Sequence, residues 1–132
     1  MYKRVLVALS PLLFLSMAQA EDCGSARDQL TMNECYGKMY KSADAELNAL
    51  YKQINGRLKD DPDTKKLLVS AQRAWVAYRD AECGFSASTV TGGSVYPTIY
   101  ANCLSIMTNE RVKTFKGYLK CEEGDMSCPV PR

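Results

Sequence analysis

The stretch TMNECYGKMYKSADAELNALYKQINGRL, residues 31–58, decides how the rest of this chain is read. Its apolar side chains fall at Met32, Tyr36, Met39, Ala43, Leu47, Leu50, Ile54 and Leu58, in steps of 4, 3, 4, 4, 3, 4 and 4. An α-helix repeats every 3.6 residues, so this spacing lays one apolar stripe along about seven turns and predicts a long amphipathic helix. Thr31 followed by Glu34 is a capping-box signature for its start. Gly56 and the KDDPD run that follows close it.

Downstream, Asp61-Pro62 opens a second helix, with aspartate as cap and proline in the first turn, where its missing N–H costs nothing. Leu68, Ala71, Trp75 and Tyr78 form its stripe, widened by Leu67 and Val76. From Cys83 to Pro97 the helical period is lost and Gly, Ser and Thr accumulate, which predicts a loop of about fifteen residues, long for a small domain. A third helix is expected from about Thr98 to Leu119, with Cys103, Leu104, Met107, Phe115, Tyr118 and Leu119 facing inward. A turn-rich tail carrying two cysteines occupies residues 120–132. The expected fold class is all-α: one three-helix domain over residues 21–132, with a long cystine-closed loop between helices 2 and 3.

Upstream, Lys3 and Arg4, the apolar run from Val5 to Met17 and the small residues Ala18-Gln19-Ala20 read as a secretory signal peptide over residues 1–20. The run is too short for a membrane span and contains Pro11. The product is therefore expected to be exported, soluble and periplasmic, without membrane insertion. Lys3 and Arg4 also account for the whole excess of 17 basic over 15 acidic residues, leaving 15 of each after cleavage. A chain near neutrality has no charge reason to bind nucleic acid.

All six cysteines lie in the exported part: Cys23, Cys35, Cys83, Cys103, Cys121 and Cys128. An even count behind an export signal reads as three disulfides, although six cysteines admit fifteen pairings. Nearest-neighbour pairing is the simplest of them: Cys23–Cys35, Cys83–Cys103 and Cys121–Cys128.

Enzymatic readings fare poorly. The chain has no histidine, so it lacks the commonest general base and any Ser-His or Cys-His nucleophile pair. Cysteines held in disulfides are not thiolate nucleophiles, and no metal-ligand spacing is present. The carboxylates Asp60, Asp61 and Asp63, and Glu122, Glu123 and Asp125, sit at a helix start and in the tail, where acids serve as caps and solvated charge. No catalytic residue, metal or cofactor is expected. The polar residues Asp44, Asn48, Gln72, Arg79 and Arg111 lie on or beside the apolar stripes. An arginine there must be paired, because an isolated buried charge costs several kcal/mol. An Asp44–Arg79 or Asp44–Arg111 bridge setting helix register is the structural reading, and a polar binding groove the functional one. Trp75, Tyr36, Tyr40, Tyr51 and Tyr78 follow the helical spacing and are expected in the core rather than on a glycan platform.

The segments MNECYGKMYKSADAELNALY, AQRAWVAYRDAEC and GGSVYPTIYANCLSIMTNERVKTFKGYL together resemble the LprI-like lysozyme-inhibitor domain family of exported bacterial proteins. The resemblance runs from Cys23 to about Leu119 and covers Asp44, Gln72, Trp75, Arg79, Gly92, Gly93, Ser94 and Arg111. It implies a small helical envelope protein, with lysozyme inhibition assigned to some members of the family, and it agrees with the pairs Cys23/Cys35 and Cys83/Cys103; the partner expected on that basis is a lysozyme or another peptidoglycan-acting enzyme. Lysozyme inhibitors of unrelated β folds present a loop to which GGSVY is similar. A muramidase cleft holds a catalytic acid and a second carboxylate, which favour hydroxyl and amide donors. Gly92, Gly93, Ser94 and Tyr96 are therefore the expected target-binding residues, through the Ser94 and Tyr96 hydroxyls and the Gly92–Gly93 amides. Two other roles suit the same chain: immunity against a rival's peptidoglycan-cutting toxin, and small-ligand or glycan binding around Asp44, Arg79 and Arg111.

Overall fold

Asp28, not Thr31, begins the first helix. Its carboxylate accepts the Thr31 backbone N–H at 2.8 Å and the Thr31 hydroxyl at 2.9 Å. The capping-box expectation thus shifts by three residues, because Asp28 is extended and its side chain reaches the free amides first. In this computed structural model, which describes residues 22–132, α1 runs over Gln29–Arg57, α2 over Pro62–Ser86 and α3 over Tyr96–Lys120. The signal-peptide reading of residues 1–20 lies outside the described residues.

The second helix starts as its sequence dictates. Asp61 accepts the Thr64 N–H at 3.0 Å, with Pro62 in the first turn. The loop is shorter than the sequence suggests, because α2 continues through Cys83 to Ser86 and α3 already starts at Tyr96. Glycine and serine near a helix end lower propensity without forbidding the helix, and tertiary contacts override the loss. What remains between the helices is a short 3-10 turn, Ser88–Val90, and the stretch Thr91–Val95. The start of α3 has no side-chain cap.

Cross-helix contacts fix the arrangement. Asn33 meets Thr98, Glu46 meets Lys116, and Arg57 donates to the Leu119 carbonyl, so α1 and α3 run parallel. Gln72 meets Arg111, Arg79 meets Thr108, and Cys83 is bonded to Cys103, so α2 runs antiparallel to α3. The disulfides are Cys23–Cys35, Cys83–Cys103 and Cys121–Cys128. The apolar core sits between α1 and α3: Leu47, Leu50, Ile54 and Leu58 against Val112 and Phe115. Helix α2 adds Leu68 and Trp75 to its margin. Val130, in the tail, is fully buried in the same cluster. Among the described residues no helix is long and apolar enough to cross a membrane.

One expectation about α2 is overturned. Leu67, Ala71 and Tyr78, read as part of an inward stripe, face solvent, and the buried residues of the helix are Arg79 and Cys83. The cystine to Cys103 sets the rotation of α2 and carries Arg79, one turn before Cys83, inward with it.

Candidate functional site

The fold concentrates polar chemistry at the end of the bundle away from the Ile54–Phe115 core. There Thr98, Ser105, Thr108 and Arg79 are buried where the other end holds leucine and phenylalanine. Arg79 is the centre of this layer, its side chain only 7% exposed. Its Nε and Nη2 reach the Asp80 carboxylate at 2.9 and 2.8 Å, and Nη1 points at the Thr108 hydroxyl at 3.4 Å. Asp44 on α1 stands at 3.9 Å, a longer and weaker contact. The guanidinium lies 5.4 Å from the centre of the Tyr40 ring and 5.1 Å from that of Trp75. Arginine suits this position because its flat, weakly hydrated cation stacks on aromatic faces while its edge donates hydrogen bonds.

Arg111 occupies the next layer. It donates to Gln72 at 3.0 Å and covers the Phe115 and Trp75 rings at 4.7 and 5.7 Å. Partial burial lowers its pKa from the ordinary arginine value. The side chains of Trp75 and the two arginines thus form a stack along the inner edge of α2. Burial, opposed by the Arg79 charge, raises the Tyr40 phenol above its usual pKa, and Tyr100 is raised by burial and the nearby Asp80 charge. A shallow groove of about 360 Å³ between α1 and α2 is lined by Asn48, Tyr51, Val69, Gln72, Arg73 and Val76. Arg79 and Arg111 are not among its walls.

At the same end of the bundle the Gly-rich turn is tied to the start of α1. The Asn33 amide donates to the Ser94 carbonyl at 3.1 Å, while its oxygen accepts from the Thr98 hydroxyl at 2.6 Å and the Gln29 amide at 2.8 Å. Gln29 also donates to the Thr98 hydroxyl at 3.0 Å. Gly92 takes a left-handed φ of 80°, a conformation that any residue with a Cβ adopts at a cost. Gly93 turns its N–H back to the Val90 carbonyl at 3.0 Å, and a Cβ there would stand 3.2 Å from that oxygen. Its amide therefore closes the turn and does not face outward as the sequence reading had it. Gly92, Gly93 and Ser94 are exposed, while Tyr96 is half-buried, its ring stacked on Tyr100 at 5.6 Å.

Sequence reasoning brought the turn and the arginines forward but missed Asn33, Gln29 and Thr98, which hold the turn in place. A signal was present: Gln29 and Asn33 are four residues apart, on one face of a helix otherwise patterned by apolar residues.

The described residues thus form a cystine-bound three-helix domain that exposes the Gly92–Gly93 turn, pinned by Asn33, to solvent. Residues 20–115 match the family model described as Lysozyme inhibitor LprI, and the chain belongs to that family. Among curated relatives, the uncharacterized protein R02472 of Rhizobium meliloti (strain 1021) is 32% identical over 113 residues, covering 77% of this chain and 81% of the relative. The uncharacterized protein YecT of Escherichia coli (strain K12) is 27% identical over 109 residues, covering 73% of this chain and 67% of that protein. No solved structure matches the chain.

Proposed function

We propose that this protein is a non-enzymatic, periplasmic inhibitor of a peptidoglycan-degrading enzyme, with lysozyme the first target, and that the turn Gly92–Tyr96 is the element that enters the target's cleft. Family membership supports the class. The observation that carries the choice of element is the fixation of the turn. Asn33 grips it through the Ser94 carbonyl, and the Cys83–Cys103 cystine ties together the two helices it joins. A segment already held in one shape loses little conformational entropy on binding. The Ser94 hydroxyl and the phenol of Tyr96 are the donors offered to the carboxylates of a muramidase cleft. Arg79 and Arg111 are engaged with Asp80, Thr108, Gln72 and aromatic faces, which favours a structural role for them over a ligand-binding one.

Lysis of a peptidoglycan suspension by a c-type lysozyme, with and without the oxidised protein, tests the class. Inhibition near one-to-one stoichiometry is expected. The double substitution Ser94→Ala and Tyr96→Phe, which removes both hydroxyls and keeps the ring stacked on Tyr100, should raise the inhibition constant at least tenfold with an unchanged melting temperature. Undiminished inhibition by the folded double variant sinks the turn as the contact element. Failure of the unaltered protein at large excess excludes c-type lysozyme as the target, and enzymes delivered by rival bacteria are tried next.

A further inference from the structure

Helix α2 is apolar on two faces. Leu68, Trp75 and Cys83 turn toward the bundle. Leu67, Ala71, Ala74, Tyr78, Ala81 and Phe85, in steps of 4, 3, 4, 3 and 4, turn toward solvent. Leu67 is 70% exposed, Tyr78 59% and Phe85 76%. A helix that is apolar all round is ordinarily covered all round. The outer steps alternate 4 and 3, the a/d alternation found in the seam of helices that pair with other helices.

We propose that this outer face is a self-association surface, through which two copies of the chain pair antiparallel along α2. The stripe has bulky residues at its ends, Leu67 and Phe85, and three alanines and Tyr78 between them. A two-fold axis at the level of residue 76 sets Leu67 against Phe85 of a second copy, Ala71 against Ala81, and Ala74 against Tyr78. Tyr78 then faces the small Ala74, Leu67 and Phe85 pack on each other at the ends, and the Ala71–Ala81 pairs let the backbones approach.

The charges choose the direction. The first half of α2 carries the exposed cations Lys65, Lys66 and Arg73 against one acid, Asp63 in the first turn, and the second half carries Asp80 and Glu82, while Arg79 is buried. Arg79 takes only Oδ1 of Asp80, so the other carboxylate oxygen stays available. An antiparallel pair lays each basic half along the other's acidic half, with Arg73 near the level of Asp80, whereas a parallel pair would stack like on like. Closed two-fold pairing of one patch with itself is also the commonest symmetry of homo-oligomers.

From Leu67 to Phe85 the stripe rises eighteen residue steps, about 27 Å of helix. A seam of that length buries on the order of a few hundred Å² per copy, at the small end for specific interfaces. The dimer is therefore a weak, reversible one.

Sedimentation velocity of the oxidised protein from low micromolar to millimolar concentration tests this directly and needs no lysozyme. A monomer–dimer equilibrium weakened by added salt is expected. Ala74→Glu and, separately, Phe85→Ser should each raise the dissociation constant at least tenfold while leaving circular dichroism and melting temperature unchanged. In a short bis-maleimide reaction, Ala77→Cys, close to the axis, should cross-link to itself, and Leu67→Cys should cross-link only when mixed with Phe85→Cys. A strictly monomeric protein, a dimer indifferent to both surface variants, or self-cross-linking of Leu67→Cys overturns the proposal.

Discussion

Replacing Arg79 tests the polar layer most directly, because three kinds of interaction meet on one side chain and the variants separate them. Arg79→Ala removes the hydrogen bonds to Asp80, the contact with Thr108 and the stacking on Tyr40 and Trp75. The charge term is smaller than for a fully buried pair, since the Asp44 and Asp80 side chains are 40% and 47% exposed and regain water once the arginine is gone. Stacking on two rings in a desolvated site contributes about 1 kcal/mol per ring, and loss of the packed stem about as much again. The expected destabilisation is therefore about 2–4 kcal/mol, with packing and stacking the larger share. Arg79→Met keeps the stem and a polarizable contact with the rings, so it should recover more than half of that loss. Arg79→Lys keeps the charge but neither the fork nor the flat face, and should recover less than methionine does. Urea unfolding followed by far-ultraviolet circular dichroism measures all three without depending on Trp75, whose emission the substitutions alter in the native state. If methionine proves as damaging as alanine, pairing and not packing holds the layer, and the reasoning fails.

Other consequences are as definite. Asn33→Ala removes the anchor of the turn and one partner each of Gln29 and Thr98, and should cost about 1–2 kcal/mol while amide exchange of residues 92–95 accelerates several-fold in hydrogen-exchange mass spectrometry. Val130→Ala should cost about 1–2 kcal/mol in urea unfolding despite lying in the tail, because it empties a site within the main core. Asp28, Asp61 and Asp125 have pKa values lowered from 3.8, chiefly by hydrogen bonds from Thr31, Thr64 and Ser127. A carboxylate that is more acidic when folded stabilises above its unfolded pKa and loses that contribution as pH falls toward the folded value. The urea midpoint should accordingly drop below about pH 4, and less steeply in the Asp28→Asn, Asp61→Asn double variant.

How far the sequence spoke depended on what its pattern encodes. Helix α1 was legible because leucines and isoleucine on one face leave no rival orientation, and α2 began where Asp61-Pro62 said it would. The inward face of α2 was not legible, since Leu67, Ala71 and Tyr78 are as apolar as the residues that turn inward, and only the cystine at Cys83 settles the rotation. A buried arginine looks the same in sequence as an exposed one. What distinguishes Arg79 is the coincidence of Tyr40, Trp75, Asp80 and Thr108, drawn from all three helices. The turn was found because glycine pairs announce irregular backbone, but the side chains that hold it come from Gln29 and Asn33, more than sixty residues away. Val130 was overlooked because a lone valine between prolines carries no periodicity.

The parallel pairing of α1 with α3 also dictates when the molecule acquires its shape. Its main apolar core joins the first helix to the last, so Leu47 to Leu58 find their partners, Val112 and Phe115, only after more than fifty intervening residues are in place. An α1–α2 hairpin has little to hold it, and closing so long a loop costs entropy before any apolar contact rewards it. Contacts this distant raise the contact order above that of a bundle of neighbouring helices, and folding is correspondingly slow and late. Until α3 arrives the main core cannot close, and Cys83 has no partner in Cys103.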